Sequence, residues 1–117
     1  MSYAKRRFYE LTGVCIDETM TVQTASQMLK KNENSNKVDV IYDLNNIQAP
    51  CMAQTKGSTS AQHVIVVEYV ERDSQGKPTK VYFTESNNSS QRDGELQCMS
   101  FADFKTKKKL LGYIVPK

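Results

Sequence analysis

Apolar and polar positions change period along the chain, and each change marks an element. Phe8, Tyr9 and Leu11 precede Gly13, a break in an otherwise helical opening. After Cys15, the residues Asp17, Glu18 and Thr19 suit the positive end of a helix. Val22, Ala25, Met28 and Leu29 then recur at spacings of three and four, one helix face, up to Lys30-Lys31 at the negative end. Asn32 to Asn36 is a polar stop. From Lys37 the period falls to two: Val38, Val40 and Tyr42 alternate with Lys37, Asp39 and Asp43, and Ile41 interrupts the pattern. Asn45-Asn46 turns the chain, Cys51 to Gln54 reads as a short strand, and Lys56 to Ser60 as a loop.

The strongest signal is the β-branched run His63 to Val70, a central strand by composition. Asp73 to Pro78 is a turn and Val81 to Thr84 the returning strand. Asn87 to Gly94 is a polar loop, and Leu96 to Met99 is a further strand. Ser100 is a candidate N-cap with Asp103 three residues on, opening a helix through Phe101 and Phe104. Gly112 is expected to end that helix, with Tyr113 to Val115 as the last strand. The fold class expected is α+β: an N-terminal helix packed on a small antiparallel sheet, with a short late helix.

Composition narrows the function classes. The 117 residues suit a single domain spanning 1–117, and 38% hydrophobic with 25% charged residues is an ordinary globular balance. No apolar run approaches the roughly 18 residues of a membrane span. The basic opening, Lys5-Arg6-Arg7, lacks the apolar stretch of a signal peptide. The expected location is therefore the cytoplasm, or outside the cell when delivered as the C-terminal piece of a larger chain. A net charge of +3 is mild for a nucleic-acid binder, so nucleic acid is not the expected partner. The run Lys105 to Lys109, with four lysines, reads as a solvated face. Three cysteines and one histidine, 36, 12 and 35 residues apart, do not have zinc-ligand spacing, and no metal or cofactor is expected.

The remaining chemistry centres on His63. In a hairpin, positions of like parity share a face. With the turn centred near residue 75, His63 falls opposite residue 86, 87 or 88, and an even register puts Glu85 and Asn87 on the His63 side. An imidazole held by a carboxylate or amide is an oriented general base. A cysteine at a helix start has its thiolate favoured by the helix dipole, and Cys15 precedes the expected helix. Cys51 and Cys98 read as small core residues.

The order Gly13-Val14-Cys15, helix, His63-Val64 opening an apolar strand, and Glu85-Ser86-Asn87 closing the next resembles the CHAP family of cysteine, histidine-dependent amidohydrolases/peptidases. The segments Asn46 to Ala49, Ser100 to Phe104 and Leu111 to Lys117 carry the likeness across residues 46 to 117. The resemblance implies a papain-like fold and a catalytic set of Cys15, His63, Glu85 and Asn87. It further implies cleavage of peptidoglycan-peptide or protein amide bonds through a thioester. A delivered antibacterial toxin with a cognate inhibitor fits the same chemistry. Two alternatives stay open: a non-catalytic papain-like binding module, and a small ribonuclease-type toxin using His63 with lysines.

Overall fold

The computed structural model describes residues 2–16, 28–56, 63–85 and 95–117; the side chains of Ser2, Met28 and His63 lie outside the description. The described residues are α+β, with six strands among them in one antiparallel sheet and few helices. The elements are α1 (Ser2–Thr12), α2 (Met28–Lys31), β1 (Val38–Ile41), β2 (Cys51–Thr55), β3 (His63–Arg72), β4 (Pro78–Glu85), β5 (Gln97–Ser100), α3 (Phe101–Lys107) and β6 (Leu110–Pro116). The sheet order is β1-β6-β2-β3-β4-β5, so the late strand β6 inserts between the first two. Of the helix expected after Cys15, the last turn is α2; the rest falls at 17–27, outside the described residues.

Both faces of the sheet are covered at its centre. On one face Ala4 and Phe8 of α1 pack with Ile16, Leu29, Val38, Met52, Val64, Val66 and Ile114. On the other, Phe101 and Phe104 of α3 pack with Cys51, Ala53, Ile65, Val67, Phe83 and Tyr113. That double burial is why β2 and the start of β3 read as continuous apolar runs. It also explains Ile41: it packs against the α3 side while Val40 packs against the α1 side.

The β3–β4 turn forms as its composition requires. Asp73 Oδ1 accepts from the amides of Gln75 at 2.8 Å and Lys77 at 2.9 Å, and Gly76 adopts φ 82°, open to glycine without strain. Two irregularities interrupt the ladder that follows. Arg72 pairs with Pro78, then Glu71 with Lys80, leaving Thr79 unmatched. Tyr69 pairs with Tyr82, then Val67 with Phe83, leaving Glu68 unmatched as a β-bulge.

Ser100 caps α3 as expected, accepting from the Asp103 amide at 3.2 Å. Gly112 does not end that helix. The helix stops at Lys107, Lys108 is its C-cap, and Lys109 takes the left-handed conformation with φ 53°. The Lys109 carbonyl then accepts from the Lys56 amide at 3.0 Å, which fixes the exit into β6. Gly112 lies inside β6, where an added Cβ would stand 2.9 Å from Leu29 Cδ1 and 3.0 Å from the Ile41 carbonyl oxygen. Glycine is there for close packing of α2 and β1 over β6. No helix among the described residues is long and apolar enough to cross a membrane.

Candidate functional site

His63 opens β3 with its backbone paired to Thr55 of β2, and Glu85 closes β4 directly opposite Ile65. The parity condition for bringing Glu85 to the His63 side is thus met by the backbone at this end. It is met through the bulge: had the pairing of Val70 with Val81 continued unbroken, Ile65 would have faced residue 86. The His63 ring and all of Asn87 lie outside the described residues.

Glu85 is 4% exposed, a rare state for a carboxylate without partners. Its Oε2 accepts from Lys108 Nζ at 3.1 Å and from Gln97 Nε2 at 3.0 Å. Gln97 arrives from β5, one strand over, where it pairs with Phe83. Lys108 arrives from the end of α3, its ammonium 5.2 Å from the centre of the Phe83 ring. Neither partner was visible as such in the sequence. The lysine run read as a solvated face, yet one of its members is turned onto the sheet.

Of the two cysteines expected in the core, Cys51 is there and Cys98 is not. Cys51 is fully buried opposite Val67, and burial pushes its thiol far above the ordinary range, which suits a core residue. Cys98 is exposed on β5, opposite Tyr82. Cys15 is exposed and follows α1, whose end is made by Gly13 at φ 76° donating to the Tyr9 carbonyl. Cys15 Sγ donates to the Ile16 carbonyl at 3.8 Å, and its own carbonyl accepts from Lys37 Nζ at 3.5 Å. Lys37 immediately precedes β1, at the edge of the sheet. β1 and β4 are four strand spacings apart, roughly 19 Å, well beyond the reach of a lysine side chain. Ile16 is buried on the α1 face, whereas Glu85 shares its parity with Phe83 on the α3 face. The structure therefore brings Glu85 together with Lys108 and Gln97, and does not bring Cys15 to Glu85.

A second polar cluster lies on the α1 face, at the bulge. Arg7 of α1 grips Glu68 with both arms, Nε to Oε2 at 2.7 Å and Nη2 to Oε1 at 2.6 Å, and Thr84 Oγ1 donates to Oε2 at 2.7 Å. Burial pushes the Glu68 carboxyl up, but the hydrogen bonds from Arg7 and Thr84 outweigh it, so the group sits below the usual carboxylate range. Tyr3, Glu10 and Leu96 complete an open groove of about 410 Å³ around this pair. Glu68 keeps the parity of Val64 and Val66, which gives it to this face, and it stands there as the unmatched residue of the bulge. Comparison with family models, with curated proteins and with solved structures gives no match to this chain.

Proposed function

We propose that the chain is a papain-like, CHAP-like amidase or peptidase domain acting on peptidoglycan-peptide or protein amide bonds, with its base at the His63 end of the sheet. The observation that carries this reading is the register of the β3–β4 hairpin, Ile65 opposite Glu85, which puts Glu85 in phase with the position of His63 on β3. In the proposed mechanism His63 takes the thiol proton and later activates water, Asn87 or Glu85 orients the imidazole, and Cys15 attacks the amide carbon. The amine leaves with the proton held by His63, and water releases the thioester as a carboxylic acid. Catalysis by Cys15 requires its segment to leave the β1 edge, where an exposed 3.5 Å contact from Lys37 holds it. Delivery as an antibacterial toxin, with a cognate inhibitor as partner, belongs to the same proposal.

The separation of Cys15 from Glu85 favours a second reading, a papain-like module that binds peptide without cutting it. Two substitutions decide between them. Cys15→Ser and His63→Ala should each reduce release of amine from peptidoglycan or a peptide library by at least about 100-fold, with circular dichroism unchanged. Full activity in both variants removes the cysteine-hydrolase reading. Absence of turnover in the unsubstituted protein, with peptidoglycan still retained in a pull-down, selects the binding module.

A further inference from the structure

Among the described residues the sheet ends in two edge strands, β1 and β5, and they are built differently. An edge invites pairing with another chain, and charged side chains are a common guard against it. β1 carries Asp39, paired to Lys117 at 3.8 Å, and is flanked by Lys37 and Asp43. The stretch Leu96 to Ser100, which holds β5, carries no charge. Leu96 is 61% exposed, and Cys98 is exposed. Cys98 extends a cross-strand row of Tyr82 and the exposed Tyr69, whose ring centres stand 5.8 Å apart. Leu96 lines the α1-face groove with Thr84 and Glu68, so the extended phase runs on ahead of the strand's first residue. Glu95 therefore falls in phase with Gln97, which pairs with Phe83 of the α3 face.

We propose that β5 is a self-association edge: a second copy of this chain adds its own β5 antiparallel, continuing the sheet across a two-fold axis. With that axis perpendicular to the sheet, each face stays on its own side, so facing residues share parity and one residue faces itself. Centring on Cys98 uses the whole extended stretch, with Gln97 opposite Met99 and Leu96 opposite Ser100 of the second copy. A charge at the centre would there oppose its own like, and this stretch has none. One step further out, Glu95 comes opposite Phe101 of the second copy, over whose ring the Lys105 ammonium lies 4.6 Å from the centre. Phe101 belongs to the α3 face, the side to which Glu95 is in phase. An acid and a base thus meet twice, once at each end of the pair, and this match favours a second copy over an unrelated strand.

Sedimentation velocity over a concentration series should show a monomer–dimer equilibrium. Glu95→Lys and Lys105→Glu should each weaken the dimer at least about tenfold, and the double variant should recover most of that loss, because the exchange restores opposite charges. Cys98→Lys, which sets a cation against its own copy at the axis, should give monomer. Diamide should join the copies through Cys98, since directly opposite Cα atoms lie about 4.5–5.5 Å apart, within disulfide range. In that step the two thiols pass two electrons and two protons to the azo group of diamide as the S–S bond forms. A monomer at every concentration up to about 1 mM overturns the proposal and leaves the edge to a strand of another chain. A dimer unaffected by Cys98→Lys overturns it by placing the contact elsewhere. Single charge variants without effect, a double variant without recovery, or no link between Cys98 thiols after diamide overturns the pairing centred on Cys98. Circular dichroism checks the fold of each variant, and where Cys98→Lys does not fold, the charge exchange decides.

Discussion

Three cysteines occupy three environments, and the environments set distinct reactivities. Cys51 has no solvent access and a thiol pushed up by burial, so neither reagent nor base reaches it in the folded state. Cys15 and Cys98 are exposed. Iodoacetamide at neutral pH should therefore label Cys15 and Cys98 in the folded protein and Cys51 only after denaturant is added, as read by peptide mass spectrometry. Early labelling of Cys51 would mean that the α3 side of the sheet opens readily. Cys51 as a core residue was legible in the sequence, from its place in a short apolar strand. The exposure of Cys98 was not: β5 is an edge strand, and the α1 side of its neighbour β4 carries the partly exposed Tyr82.

Among the elements, those set by local chemistry could be read directly. The Asp73-to-Pro78 turn and the Ser100 cap depend on side chains within a few residues of the backbone they satisfy, and both form. The end of α3 could not be read, because Lys109 takes the left-handed position that glycine usually fills, held there by the amide of Lys56, the residue after β2. Gly112 answers to a distant contact instead, the approach of Leu29 and the Ile41 carbonyl. Gly112→Ala should lower stability by about 1–3 kcal/mol, measured as a reduced urea midpoint, since the backbone oxygen of β1 cannot turn aside as a side chain can. An unchanged midpoint would show that β1 separates from β6 at little cost. The phase of Glu85 with the His63 position on β3 was legible only on condition of an even register. The Glu85–Lys108–Gln97 cluster was not legible, because it joins three elements through long-range packing.

For the whole molecule, the Arg7–Glu68–Thr84 cluster ties the N-terminal helix to the centre of the sheet. Glu68 has a folded-state pKa below its ordinary value, so its contribution is present in full above that ordinary value and is lost as pH falls through the folded one. Glu68→Gln should cost about 1–3 kcal/mol at neutral pH, and the gap to the unsubstituted protein should narrow progressively below about pH 4.3. A gap constant with pH, in denaturant melts from neutral to acid, would remove the charge from the account and leave shape alone. The bulge at Glu68 also sets the phase of the hairpin, because Thr79 is its counterpart on the other strand. One surplus residue on each strand returns the pairing beyond Glu68 to the phase it has beside the turn. The segment between them, Tyr69 to Glu71 against Lys80 to Tyr82, acts as a buffer. A substitution that re-pairs the turn can be absorbed there as a shifted surplus residue, without inverting inside and outside at Ile65 and Glu85. The hairpin's tip is thereby free to vary in sequence while its far end keeps the face on which any chemistry depends.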